Sequence, residues 1–212
     1  MNIEYLGHSC FAVRGSFSVV TDPFGDIGYE MKKTEADFCL LSHGHFDHCA
    51  AENVSGAKVV RSESDVALAK DISLECVPTF HDRSSGKLRG KNNVYKFIVD
   101  GVRFCHFGDL GEDFSNETAK RIGECDVLFI PVGGNYTIDA ATAEKFAAAT
   151  SAKLIVPMHF KTPRSNIDIE GLANFKSRYK SIISANGVFN IDREALEKTS
   201  GQTLLVFNTD NF

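Results

Sequence analysis

The sequence predicts a layered α/β protein, with sheets covered by helices, in a single domain over residues 1–212. Three observations carry that prediction. The first hundred residues read largely as strands and hairpins, whereas the remainder alternates apolar strand-like runs with helix-forming stretches. The length, 212 residues, is enough to bury a sizeable core. Finally, no repeat, low-complexity tract or Pro/Gly/Ser-rich linker divides the chain.

Residues 3–6 and 10–13 read as strands, and residues 17–20 return after a turn at Arg14, Gly15 and Ser16. Residues 37–41 form an apolar run that looks like a buried strand feeding a loop. Residues 64–70 are a short helix candidate, and residues 74–78 are a further apolar run. Residues 93–99 and 102–107 flank Asp100 and Gly101, a pair favoured in type I′ turns because both residues tolerate positive φ; they predict a hairpin. Ser115 suits the N-cap of a helix over 115–122, and the Ala-rich stretch 139–150 is full of good helix formers. A fourth helix is expected over 169–179, with Leu172, Phe175 and Tyr179 on one face. Residues 127–130, 154–156 and 203–207 read as buried strands, the last one closing the fold.

The apolar fraction of 43% and charged fraction of 24% are ordinary for a soluble globular protein. A formal charge of -5 and a pI near 5.8 argue against a nucleic-acid partner held by a basic surface. No apolar run approaches the roughly 20 residues of a membrane span, so no membrane partner is expected. Residues 1–5 lack the basic start and long apolar stretch of a secretory signal. Cys10, Cys39, Cys49, Cys76, Cys105 and Cys125 are scattered, with no Cys-x-x-Cys pair. They therefore read as reduced, mostly buried thiols of a cytoplasmic protein.

One stretch points to chemistry. His43, Gly44, His45, Phe46, Asp47 and His48 read His-x-His-x-Asp-His, placing four metal-capable side chains within six residues. With seven His and fifteen Asp in the chain, shuffling produces this pattern in roughly one chain in two thousand, so chance is a poor account of it. The alternative is a solvated His/Asp loop without metal. Four donors on one loop exceed what a single tetrahedral zinc would take from it. The crowding suggests two metals, His43 and His45 on one, Asp47 and His48 on the other.

Further candidates repeat one pattern, a coordinating side chain just past an apolar run: His81 after 74–78, Asp109 after 104–108, and His159 after 154–158. Singly, each has an ordinary reading as a hydrogen-bonded histidine or a turn residue. Loops at one edge of a sheet are where α/β proteins place their sites, and together these residues become candidate ligands.

This set resembles the metallo-β-lactamase superfamily of metal-dependent hydrolases. The resemblance runs from Leu6-Gly7-His8-Ser9 and Thr21-Asp22-Pro23, through the 42–48 motif and Phe107-Gly108-Asp109, to Pro157-Met158-His159. The Gly-His-Ser, Thr-Asp-Pro and Pro-Met-His segments look most like the branch of ascorbate-6-phosphate lactonase and the N-acyl phosphatidylethanolamine phospholipase D enzymes. The resemblance implies a four-layer αββα sandwich with metals at one edge. It implies that His43, His45 and His81 hold one ion, that Asp47, His48 and His159 hold a second, and that Asp109 bridges them. The surroundings of His81 lack the superfamily's common Gly-His-Thr, and His106 is the fallback for that place.

Departures from the family pattern narrow the expectation. Asp109 stands where many true β-lactamases carry Cys, which argues against antibiotic hydrolysis. His45 stands where flavin-dependent diiron members carry Glu, which favours hydrolysis over oxygen reduction. The chain is too short for the insertions of the RNA-cleaving and DNA-repair branches.

The expected cofactor is two divalent ions, zinc first, with manganese or iron compatible. Two such ions about 3.5–4 Å apart can share a water and lower its pKa toward about 7, supplying hydroxide. Asp47 is the candidate to orient it and to pass a proton to the leaving group. His8, Asp22 and His106 are candidates to support the ligands, since metal-bound imidazoles usually donate their other N–H to a carboxylate or carbonyl, and His8 and His106 join Asp47 as catalytic candidates. Arg83, Lys87, Arg89 and Lys91, with Lys161 and Arg164, suggest a small anionic substrate: an ester, lactone or phosphodiester. The alternatives are a nuclease acting on RNA or DNA and a non-catalytic metal-binding protein.

Overall fold

The computed structural model describes residues 1–69 and 72–209. Two sheets face each other. In spatial order the first contains Val188–Asn190, Asn2–Gly7, Cys10–Arg14, Ser18–Thr21, Phe38–Leu40 and Lys58–Val60. The second contains Ile182–Ala185, Thr203–Phe207, Leu154–Met158, Val127–Pro131, Val102–His106, Lys91–Val99, Ile72–Phe80 and Val66–Ala69.

Strand periodicity explains the layering. Along the first sheet Phe11 and Val13 face the second sheet, while Cys10 and Ala12 face away, as a two-residue repeat requires. Between the sheets the rings of Phe11 and Phe129 lie 4.5 Å apart. Fully burying a side chain of this size stabilises the fold by roughly 1.5–3 kcal/mol. The outer face of the first sheet is covered by Phe24, Ile27, Tyr29 and Met31, from an irregular segment, and by Ile167 and Ile169.

The second sheet is antiparallel in one half and parallel in the other. Parallel neighbours need crossovers. Those following Val102–His106 and Val127–Pro131 carry α1 (Asn116–Ile122) and α2 (Ala140–Ala149), where Phe146 of α2 packs on Phe107. Strands covered on both faces need apolar residues throughout, and Val127–Pro131 and Leu154–Met158 are buried at every position. The Asp100–Gly101 turn takes φ 47° and 78°, as the hairpin expectation required. Ser115 and Asp139 cap α1 and α2 through the N–H groups of Thr118 and Thr142.

Two helix expectations need correction. Residues 66–69 of the 64–70 stretch form a strand, paired antiparallel as Val66↔Leu74 and Ala67↔Ser73; Lys70 lies outside the described residues. Leu68 gains a buried place in the core and Asp65 accepts the Cys76 N–H at 2.8 Å, so sheet pairing overrides a weak helical preference. The 169–179 helix shrinks to α3 (Ala173–Lys176), because Glu170 is tied in extended pairing to Gly133 and Lys161. Phe175 remains fully buried, as its face predicted. A short helix α4 (Arg193–Glu197) and the strands Ile182–Ala185 and Val188–Asn190 carried no clear signal. All six cysteines are free, five of them buried. No described helix is long and apolar enough to cross a membrane.

Candidate metal centre

Six strands deliver side chains to one edge from their C-terminal ends. In the first sheet Asn2–Gly7 leads to His8, Ser18–Thr21 to Asp22, and Phe38–Leu40 to the 43–48 loop. In the second, Ile72–Phe80 leads to His81, Val102–His106 to Asp109, and Leu154–Met158 to His159. His8, Asp22 and His159 have φ of 52°, 41° and 51°. Such backbone costs of order 1–3 kcal/mol per residue and persists where the surroundings over-determine it, typically at sites. Gly108 also has positive φ, and a Cβ there would collide with the Ser42 and Asn92 side chains, so glycine is required for the turn that brings Asp109 inward.

Donor atoms gather within 4.8 Å in three overlapping groups, one of them Asp22 with His43 and His48. Of the other two, His43, His45 and His81 form one, and Asp47, His48 and His159, joined by His8, form the second. Asp109 lies between them. Its Oδ2 is 3.1 Å from His81 Nε2 and 3.2 Å from His159 Nε2, and its Oδ1 is 3.1 Å from His48 Nε2. Asp47 Oδ2 is 3.3 Å from His8 Nε2 and 3.6 Å from His48 Nε2.

These residues fit a metal centre. The Nε2 atoms of His43, His48 and His159 and Oδ1 of Asp109 are buried at close range, yet make no aligned hydrogen bond among the described residues. Buried polar groups are otherwise nearly always hydrogen-bonded, and converging donors of this kind suit a cation. Burial pushes His43 down to about 3, assisted by His48, and His8 down to about 4, assisted by His159. Burial and then His81 lower His45. These three imidazoles are therefore neutral near pH 7, and neutral imidazole is the form that ligates. Burial opposes charge on His48 too, but Asp109 and Asp47 outweigh it and raise its pKa. Burial would raise Asp109, yet His159, His48 and His81 hold it well below the usual carboxylate range.

Asp22 organises two of the rings. Against burial, His48 and His106 keep its carboxyl below the usual range, so it acts as an acceptor. Its Oδ2 accepts from His48 Nδ1 at 3.0 Å and from Ser42 Oγ at 2.6 Å, while Oδ1 accepts the Ser42 N–H at 2.7 Å. With its proton committed to Asp22, the Ser42 hydroxyl accepts from His43 Nδ1 at 2.9 Å. Both imidazoles thus turn Nε2 toward the centre, with the lone pair free on neutral His43. A carboxylate behind a ligating histidine performs this task in metal sites generally.

His106 must be withdrawn as a catalytic candidate and as the fallback ligand. It is fully buried; its Nε2 donates to Ser9 O at 3.0 Å, and its Nδ1 accepts the Gly108 N–H at 3.1 Å. Both nitrogens are spent on the backbone, leaving none for an ion. His8, also expected to be catalytic, is buried behind Asp47 and does not line the cleft. His81→Ala is accordingly expected to cost about one metal equivalent, or to weaken one by more than the 10- to 100-fold of an outer partner, while His106→Ala has the smaller effect. Metal titration of both variants decides it, and the reverse order would misassign the first group.

Above the donors opens a cleft of about 460 Å³, lined by His45, Asp47, His81, Asp109 and His159 and by a rim of other residues. Sequence reasoning gave Ser42 and Asn92 no role of their own and, of the rim, singled out Arg89. Asn92 Oδ1 accepts the Asp109 N–H at 2.9 Å, and Asn93 donates to Ser42 O at 3.0 Å. A doublet of amides opening an otherwise apolar strand was the available signal.

Residues 2–159 match the family model described as Beta-lactamase superfamily domain. A solved structure from Thermotoga maritima, assigned as a Zn-dependent hydrolase of the metallo-beta-lactamase superfamily, is 30% identical and covers 97% of both chains at a TM-score of 0.80. The chain belongs to the metallo-β-lactamase superfamily. Among its relatives is a UPF0173 metal-dependent hydrolase of Archaeoglobus fulgidus, 30% identical over 76% of this chain and 84% of the relative. Another, from Thermoplasma volcanium, is 26% identical over 90% and 95% of the two chains. This superfamily member is a metal-dependent hydrolase, and its His/Asp cluster supplies the candidate metal-binding residues.

Proposed function

We propose that this hydrolase works with two divalent ions, zinc first, on a small anionic ester, lactone or phosphodiester. His43, His45 and His81 would hold one ion, Asp47, His48 and His159 the other, with Asp109 serving both. The position of Asp109 carries this reading: one carboxylate stands within 3.1–3.2 Å of donors from both groups. Histidine with carboxylate favours zinc and tolerates manganese or iron. Bound there, the ions would supply Lewis acidity and acidify water at neutral pH.

The chain's own groups complete the chemistry. Asp47 lines the cleft, and His48 and His8 outweigh burial to hold its carboxyl well below the ordinary range. It is therefore ionised at neutral pH, able to take a proton from water and return it to a leaving oxygen. His8, against Asp47 Oδ2, fixes where that carboxylate points. Phe46, Tyr136 and Ile167 add aromatic and apolar surface to the lining of the cleft.

Elemental analysis after reloading with zinc or manganese should give about two metals per chain, with turnover of bis(p-nitrophenyl) phosphate or simple lactones appearing alongside. Saturation at one equivalent would sink the two-ion reading. Full loading with no turnover across the ester, lactone and phosphodiester panel would remove the substrate class.

A further inference from the structure

Six basic side chains lie in the segments beyond His81 and His159, and the fold separates them. Arg83 pairs with Asp113 at 2.9 Å and Lys91 with Glu63 at 2.6 Å. Lys161 donates to Ile167 O at 2.7 Å, Arg164 lines a different groove, and Lys87 is exposed away from the cleft. Arg89 alone of the six lines the cleft. Its guanidinium carbon lies 4.3 Å from the centroid of the Tyr136 ring, and among the described residues no carboxylate pairs with it.

Resting on the metal-hydrolase reading above, we propose that Arg89, laid on Tyr136, is the subsite for a single oxyanion of the substrate, a phosphoryl or carboxylate group carried on a small, partly apolar body. Stacking engages the face of a guanidinium and leaves its N–H edge free, the edge that meets oxyanions in a two-pronged fashion.

The subsite is built in advance. Asp82, beside His81, gathers its loop by accepting the N–H groups of Ser84, Gly86, Leu88 and Arg89 at 2.7–3.0 Å. The His81 N–H donates to Gly90 O at 3.0 Å and closes the loop on itself. One carboxylate therefore ties the backbone of Arg89 to the segment that carries a candidate metal donor. On the facing side, Asn135 donates to Asp168 O at 2.7 Å and ties the Tyr136 turn to the wall of Asn166, Ile167 and Asp168. Rigid walls reduce the ordering cost of binding.

The remaining wall chemistry limits the ligand. Phe46 and Ile167 offer apolar surface, and Phe46 is 64% exposed. Asp168, the carboxylate of the wall outside the donor cluster, repels a second anionic group. One cation and one facing carboxylate suit one oxyanion, and they disfavour a polyanionic chain.

Calorimetric titration of the metal-loaded protein with phenylphosphonate, which cannot be hydrolysed at its C–P bond, tests the proposal. Phenylacetate distinguishes a carboxylate from a phosphoryl preference, and dimethyl phenylphosphonate is the neutral control. Arg89→Gln is expected to weaken the preferred anion about 10- to 100-fold at unchanged metal content, to leave the neutral control unaffected, and to be partly rescued by Arg89→Lys. Tyr136→Ala should weaken the same anion less. Affinities of Arg89→Gln within twofold of the parent for both anions, or no binding of either anion to the parent, overturn the subsite. Metal content measured on the same samples keeps the two readings apart: one equivalent with Arg89-dependent binding ends the two-ion reading and supports the subsite.

Discussion

Asp109→Asn is expected to empty the centre. The substitution keeps size and shape, and the backbone N–H that binds Asn92 is untouched, so the fold should persist. What disappears is the negative charge standing 3.1–3.2 Å from His48, His81 and His159. An amide offers one neutral oxygen where the carboxylate offers two anionic ones, and its NH₂ group would point at a cation or at a lone-pair nitrogen. Removing an outer partner of a ligand costs about 10- to 100-fold in metal affinity, and the loss here should exceed that for at least one ion, with turnover falling in step. Elemental analysis after reloading, beside a circular-dichroism spectrum, is the measurement. Two firmly held ions and normal hydrolysis in the variant would show that Asp109 serves neither.

The second large effect is expected at Asp47. Asp47→Asn should lower kcat by on the order of 10²-fold or more, beyond any change in KM, since a proton handler acts in the transition state rather than in ground-state binding. The geometry adds a check. Asp47 touches His8 and His48 but lies 4.0 Å from His159, so it is less enclosed than Asp109, and its loss should spare the fold while weakening the ion it would share with His48 and His159. A near-normal kcat with raised KM would assign Asp47 to substrate binding instead.

Much of this was legible in the sequence. The 43–48 run announces itself because the donors are adjacent, and the type I′ hairpin and both helix caps are local features whose residue types dictate their geometry. His81, Asp109 and His159 could be singled out because each follows an apolar run, and the structure brings the two histidines within 3.1–3.2 Å of Asp109. What was not legible depends on tertiary partners. Residues 66–69 became a strand because a neighbour was waiting for them. His106 was spent on the backbone of Ser9 and Gly108, the first of which lies almost a hundred positions away. Which of six basic residues would face the cleft depended on the path of loops that no periodicity describes.

The candidate donors divide by sheet as well as by group. His8, Asp22 and the 43–48 loop belong to the first sheet, while His81, Asp109 and His159 belong to the second. Each group mixes the two, His81 joining His43 and His45, and His159 joining Asp47 and His48. Neither half of the sandwich can therefore assemble either of these two groups alone, although Asp22, His43 and His48 converge within the first sheet. During synthesis the emerging chain displays His8, Asp22 and the 43–48 run first, and a cation caught there lacks His81, Asp109 and His159, still to come. Closing those long stretches carries an entropy cost that only docking of the sheets repays. Firm retention of metal is thus expected only once both sheets have docked.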